Sequence, residues 1–327
     1  MSEIPLPHTA KRVVPWWLLR HETMLAVILL FALIVLGGLN SRFLTLDNLL
    51  NQGRLTTEVG LIALPMTFII ITGGIDLSVG SIVGLCAILL GYSWKNFGFP
   101  LPLAICFSLL VGAAAGFLNG FVITRVKVPP LIMTIATLAL YRGLAEGISQ
   151  ARSVRGYPGW FYFIGQENLF GVPAQLWLLL IAIVVAAVVL DRTTFGRTLY
   201  AIGNNETAAR FSGLPVDRVK LIIYTLSGFM AGLSACVLVS RVTTTRSDMG
   251  TGYELDVIAT VVLGGTSIFG GVGTIWGTVV GLAMIQLLKN GLALTGVKGD
   301  ATIVVIGTVL ILSTLVASSL QRRRDGV

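Results

Sequence analysis

Ten apolar stretches follow one another along this chain, at 18–39, 58–72, 79–94, 101–123, 129–149, 174–190, 219–240, 255–264, 273–295 and 302–320. Several approach the roughly 20 residues that cross the hydrocarbon of a bilayer. In that medium every backbone N–H and C=O has to find its partner inside the protein, so runs of this length can only be helices. The expectation is an all-α polytopic membrane protein with about ten transmembrane helices, of which the second, third and eighth are short. Composition agrees, because 55% of the 327 residues are hydrophobic and 12% charged, against about a quarter charged in soluble domains. The first run has no small-x-small cleavage site before Asn40 and reads as an uncleaved span. Cys86, Cys106 and Cys236 all lie within apolar runs, where they read as small core hydrophobes.

Basic residues give the orientation. Lys11, Arg12 and Arg20 precede the first run, Arg125 and Lys127 follow the fourth, and Arg192, Arg197, Arg210, Arg218 and Lys220 follow the sixth. Arg322, Arg323 and Arg324 follow the tenth. All thirteen fall on one side, which the positive-inside rule makes the cytoplasm, together with both termini and the loop at 191–220. The expected organisation is a cytoplasmic tail at 1–17, a transmembrane domain at 18–320 with a cytoplasmic loop at 191–218 inside it, and a basic tail at 321–327. Arg152, Arg155, Arg241 and Arg246 run against this topology. The net charge of +8 is a topology signal and gives no reason to expect a nucleic-acid partner.

The 191–220 loop is the longest polar and basic interruption between apolar runs, and it carries the signals of a short helix. Asn204 and Asn205 can cap its start, Glu206 sits in the first turn where the dipole favours an anion, and Gly213 followed by Pro215 gives a left-handed stop. A helix over 206–212 is too short to stand on propensity alone, so Ala208 and Phe211, at i and i+3, are expected to pack on a partner. Ala209 lies between them, and the charges of Glu206 and Arg210 are expected to serve that partner rather than folding.

Within the apolar runs, glycine recurs every fourth residue at Gly112, Gly116 and Gly120, and at Gly273, Gly277 and Gly281, with shorter pairs at Gly80/Gly84 and Gly228/Gly232. This spacing clears one helical face for close backbone packing. Two glycine-rich segments, GGIDLSVG at 73–80 and LGGTSIFGGVG at 263–273, interrupt the helices, and the span count places both on the same side. Irregular backbone at membrane depth is tolerated where it is buried or lines a cavity, which is where transporters place ligand and gating sites. Asp76 in the first break is either a cap for the helix that follows Ser78 or a functional acid. Asn119 and Gln286, in the fourth and ninth runs, can hydrogen-bond either a polyhydroxylated solute or a neighbouring helix. Asp76, Ser78, Asn119 and Gln286 are thus the candidates for a translocation path. Arg142 and Glu146, at i and i+4, are expected to pair. The aromatic cluster Tyr157, Trp160, Phe161, Tyr162 and Phe163 reads as an interfacial anchor on the outer side.

No phosphate-binding loop, H-E-x-x-H or G-x-S-x-G sequence occurs, and His8 and His21 both lie at or before the first run. No catalytic residue, metal site or cofactor of its own is expected. An intramembrane enzyme would need convergent catalytic groups that the chain does not offer. A transporter driven by an ion gradient, with Asp76 as its coupling acid, is the alternative to an ATP-driven one.

The segments GGIDLSVGS (73–81), TTFGRTLYAIGNNETAARFSG (193–213) and VVLGGTSIFGGVGT (261–274), in this order, resemble the permease subunits of bacterial ATP-binding cassette importers for monosaccharides. That group includes permeases for ribose, galactose, xylose, rhamnose and a furanosyl quorum signal, and the likeness extends over about 20–320. The resemblance implies an inner-membrane permease bundle that pairs with a second permease copy or a homologue. Its other partners would be cytoplasmic ATPase subunits, which bind the ATP and Mg, and a periplasmic sugar-binding protein. It also implies that Asn204, Asn205, Glu206, Ala208, Ala209, Arg210, Phe211 and Gly213 form the coupling helix that docks on the ATPase. The stretch at 128–147 leans towards rhamnose and quorum-signal permeases.

Overall fold

The computed structural model describes residues 40–297, together with 29–30, 33–38, 301–302, 304–305 and 307–308. Both terminal tails, most of the first run and most of the tenth lie outside the described residues. The helices are α1 (Leu46–Ile71), α2 (Val79–Lys95), α3 (Leu101–Phe121, running into a π turn at Val122–Val126) and α4 (Pro130–Ser149). They continue as α5 (Tyr162–Gln166), α6 (Ala174–Arg192), α7 (Thr194–Asn204), α8 (Glu206–Phe211), α9 (Val216–Val242), α10 (Tyr253–Leu263) and α11 (Ile275–Leu294). Two small antiparallel ribbons join loops: β1 (Val154–Arg155) with β4 (Thr244–Thr245), and β2 (Asn168–Leu169) with β3 (Val172–Pro173).

Among the described residues six helices are long and apolar enough to cross a membrane: α1, α3 with its π turn, α4, α6, α9 and α11. Of the other expected spans, α2 has 17 residues and α10 only 11. The second run belongs to a helix of 26 residues that begins twelve residues earlier than hydropathy suggests. In its polar first turns the Asn48 side-chain amide donates to Asn290 Oδ1 at 2.8 Å, tying the start of α1 to α11, while Asp47 and Asn51 are exposed.

The chain is all-helical apart from the two ribbons, and its helices divide by burial. In α1, 83% of the spanning window is buried, against 22% in α4, so α1 is a core helix and α4 turns most of its apolar surface outward. The glycine repeats do the close packing. A Cβ on Gly112 would stand 2.5 Å from the Gly228 carbonyl oxygen, and one on Gly228 would meet the backbone of Gly112 and Gly116, so α3 and α9 cross through each other's glycines. Gly277 and Gly281 face the Thr260 and Gly264 backbone in the same way, seating α11 on α10.

Three local expectations change. Arg142 does not pair with Glu146; its guanidinium donates to the carbonyls of Ser247, Met249 and Gly80, tying α4 to α2 and to the loop before α10. Backbone carbonyls at a crowded crossing outcompete a solvent-facing carboxylate, whose pairing is worth only ~0.5 kcal/mol. The aromatic segment is only half an interfacial anchor. Trp160 and Phe163 are exposed, but Tyr157 and Phe161 are buried, and Tyr157 stacks on Trp94 at 4.6 Å between ring centroids. Cys86 and Cys236 are buried, whereas Cys106 is exposed on the outer face of α3.

Candidate functional site

The 193–213 segment folds as two helices rather than one. Thr193 caps α7 by accepting a hydrogen bond from the Gly196 N–H at 3.3 Å, and Leu199 and Ile202 are buried beneath it. Of the two expected caps only Asn205 serves α8, its Oδ1 accepting from the Ala208 N–H at 2.9 Å. Asn204 is the last residue of α7. Gly213 takes φ +78°, and its N–H donates to the Arg210 carbonyl at 3.0 Å, which gives the left-handed stop.

On α8, Ala209 is buried against the body of the protein, while Ala208 and Phe211 point outward, Phe211 at 89% exposure. The charges of α8 are engaged within the chain. Glu206 pairs with Arg210 at 2.8 Å and Lys220 at 2.5 Å, and Arg210 pairs with Asp217 at 2.5 Å. Asp217 in turn pairs with Lys127 at 2.9 Å. Partial burial raises the Glu206 pKa, but hydrogen bonds from Lys220 and Arg210 outweigh it and hold the carboxyl below its ordinary value. Arg210 is raised by its hydrogen bonds to Asp217 and then Glu206. Glu206 and Arg210 thus join α8 to the start of α9 through ion pairs that leave both side chains partly exposed.

The C-terminal end of α7 enters a joint where both helix breaks meet. At the first break Gly73 has φ +76°; at the second, Gly265, Gly270 and Gly271 have φ of +90°, +90° and +77°. The Gly271 N–H donates to the Ile71 carbonyl at 2.9 Å, linking one break to the end of the helix that precedes the other. A Cβ on Gly203 would collide with that same carbonyl and with Gly271 N, while the Tyr200 hydroxyl donates to the Gly273 carbonyl at 2.7 Å. Both breaks thus lie at one end of the bundle, as the span count expects, and α7 is keyed into them. None of this is visible from local sequence, because the three partners are separated by more than sixty positions at each step.

Past the joint, the first break closes around Asp76. One carboxylate oxygen accepts from the Ser78 N–H at 3.0 Å and the Ser78 hydroxyl at 2.6 Å, and the other from the Ser227 hydroxyl of α9 at 3.1 Å. Asn119 Nδ2 donates to the Ser78 hydroxyl at 2.8 Å, and the Tyr141 hydroxyl donates to the Ala115 carbonyl at 2.9 Å. Three of the four path candidates, Asp76, Ser78 and Asn119, therefore form one buried cluster uniting the break with α3, α4 and α9. Gln286 is buried on α11, with no hydrogen bond to them among the described residues. Tyr224, buried beside Gly74, has a hydroxyl without a hydrogen-bond partner among the described residues. Asp76 is not the cap of α2, whose start has no side-chain cap; it accepts from the N–H of Ser78, the residue before the helix, and through Ser227 ties the break to α9.

A second buried charge was missed from sequence. Glu58 on α1 takes two hydrogen bonds from Arg241 at 2.6 and 3.0 Å and one from the Tyr253 hydroxyl at 3.0 Å, joining α1, α9 and α10. Its signal was an acid at the edge of the second run and a base at the end of the seventh, both read as boundaries.

Residues 48–314 match the family model described as branched-chain amino acid transport system / permease component. The chain is 36% identical over 300 residues to the autoinducer 2 import system permease protein LsrD of Photorhabdus luminescens, covering 90% of both chains. The proteins of that name from Escherichia coli (strain K12) and Shigella flexneri are each 36% identical over 310 residues, or 93% of this chain and 94% of theirs. A bundle of spanning helices with two glycine joints, matched along nearly its whole length, belongs to the family of permease components of the branched-chain amino acid transport system.

Proposed function

We propose that this chain is the membrane-spanning subunit of an ATP-driven importer and carries a small sugar-like solute of the furanosyl type that autoinducer 2 represents. The cargo rests on the names of its relatives. Nothing among them speaks for rhamnose, and the amino-acid cargo in the family description is not theirs. In this reading both termini and the 191–218 loop face the cytoplasm of a bacterial inner membrane, and the runs at 18–39 and 302–320, with the shorter α2 and α10, complete the ten spans. Residues 204–213 dock on an ATP-binding cassette subunit, which binds ATP and Mg. A second permease copy or homologue and a periplasmic sugar-binding protein complete the assembly.

One observation carries this reading: α8 presents Phe211 bare at its tip while α7, one residue away, is keyed at Gly203 and Tyr200 into both helix breaks. A rigid-body shift of the docking helix would reach Ile71, Gly271 and Gly273 without passing through a flexible linker. The salt bridges from Glu206 and Arg210 make α8 part of that body. Movement at Ile71 would strain the latch around Asp76, and the unpartnered hydroxyl of Tyr224 is then a donor available to water or to a sugar hydroxyl when the break opens. An ion-gradient role for Asp76 is disfavoured, because both carboxylate oxygens are engaged by serines in a site closed to solvent.

The test is gentle purification of the tagged protein from its native host. A stoichiometric ATPase should accompany it and be lost when 204–213 is replaced by a Gly/Ser linker or Phe211 by Asp. A lone, inactive species under conditions that preserve complexes, together with uptake driven by an imposed proton or sodium gradient, would overturn the reading.

A further inference from the structure

The end of the bundle away from α7 and α8 holds the four arginines that run against the topology rule. Arg241 is taken up by Glu58, and Arg246 pairs with Asp248. Arg152 and Arg155 have no acid partner and no side-chain hydrogen bond among the described residues, and they line one concavity of about 520 Å³ together with Lys95, Tyr92 and Ile148. No aspartate or glutamate lines it.

The chain builds this concavity deliberately. Helix α4 ends with Gln150 and Ala151 at φ 47° and 58°, a left-handed double step that swings the backbone across the end of α2. The Tyr92 hydroxyl pins the turn by donating to the Ser149 carbonyl at 2.8 Å, and pairing of β1 with β4 fixes the backbone of Arg155. Three cations, with no acid among them, thereby line one open space that suits an anion. Below it, Leu140, Leu144 and Ile148, at i, i+4 and i+8, form an exposed apolar stripe on the outward face of α4 that runs up to the concavity, with Ile148 in its wall. Trp94, beside Lys95, stands at the same level with its ring 5.3 Å from the Lys95 ammonium.

We propose that this concavity binds the phosphate headgroup of an anionic phospholipid, phosphatidylglycerol being the simplest, with an acyl chain lying along Leu140, Leu144 and Ile148. A basic concavity where the end of a membrane-crossing helix meets the loop that follows it fits that chemistry, and the apolar stripe favours a lipid over a free anion or an acidic protein surface. The site is independent of the transport reading above.

The experiment uses the full chain in nanodiscs of mixed phosphatidylcholine and phosphatidylglycerol, with lipid retained after mild delipidation counted by native mass spectrometry. The wild type should retain phosphatidylglycerol selectively, about one per chain, and the Arg152→Gln/Arg155→Gln variant should lose it about tenfold while unfolding at the same temperature in phosphatidylcholine alone. Lys95→Gln serves as a second variant with a smaller loss. Equal retention by wild type and variants, or no preference for the anionic lipid, would overturn the assignment. So would displacement by inorganic phosphate without any effect of chain length, or unchanged lipid retention alongside lost binding of an extracytoplasmic protein.

Discussion

At the first break Asp76 is buried and takes three hydrogen bonds from Ser78 and Ser227, whereas the second break carries no acid between Gly264 and Gly273 and leaves Phe269 94% exposed. The first is clamped by side chains from neighbouring helices. The second is held by backbone bonds, Ser267 N–H to the Val272 carbonyl and Gly271 N–H to the Ile71 carbonyl, each 2.9 Å, plus the Tyr200 hydroxyl. Two segments with the same glycine signature are therefore held differently, the first by side chains converging on Asp76 and the second by backbone hydrogen bonds and close packing of its glycines. In the reading proposed here, the second break moves with α7 and the first acts as the latch it must release.

The largest expected effect lies at the latch. Asp76→Ala leaves the Ser78 and Ser227 donors buried without an acceptor and should lower stability by about 3 kcal/mol or more, read as earlier thermal unfolding in detergent. Asp76→Asn, which retains acceptor capacity, should cost less and keep measurable uptake. A fully stable Asp76→Ala variant would remove the contrast between the breaks.

Next comes the second break. Gly271→Ala places a Cβ 2.6 Å from Asn204 Oδ1 at a backbone φ of +77°, and should cost about 1–2 kcal/mol while shifting Asn204 and with it the start of α8. The expected readout is uptake reduced far more than thermal stability. Equal losses in both would make this break a structural clamp like the first. Tyr200→Phe deletes one hydrogen bond, worth about 1 kcal/mol, and should reduce uptake a few-fold with little change in unfolding temperature.

The smallest effect is acidic. Because the folded Glu206 carboxyl titrates below its ordinary value of 4.5, its contribution is fully present above that pH and is lost as pH falls through the lower folded value. Protection of the 204–213 loop from protease should thus be flat from about pH 5 upward and weaken only below about 4.5. In Glu206→Gln the onset below about 4.5 should move to lower pH, leaving only the contribution of Asp217, whose carboxyl is held down to about 2 by Arg210 and Lys127.

What the sequence made legible was what depends on neighbours along the chain. Glycine at every fourth position is a local pattern with one physical use, and the α3 and α9 glycines do pack on one another. The α8 cap and stop were readable because Asn205 and Gly213 act on residues within four positions. Helix α7 was passed over although Phe195, Leu199 and Ile202 follow a capping Thr193 at helical spacing, because its arginines and threonines read as loop. Arg142 goes to distant carbonyls where a neighbouring Glu146 is expected from the spacing, and the ion pairs of Glu206 with Lys220 and of Arg210 with Asp217 reach beyond the helix the local pattern describes. The joint at Gly203 could not be anticipated, since a glycine required by a carbonyl more than a hundred residues away leaves no local mark.

The most direct measurement of the central claim is sugar uptake per ATP hydrolysed by the assembled importer in proteoliposomes, comparing wild type with Gly203→Ala and Gly203→Val. The account expects the ATPase to stay bound and active while uptake per ATP falls, by about tenfold for Val and less for Ala, because a Cβ there pushes the Ile71 carbonyl and Gly271 apart. An unchanged ratio, or loss of ATPase binding in step with uptake, would contradict it and reduce α7 to a passive support for the docking helix.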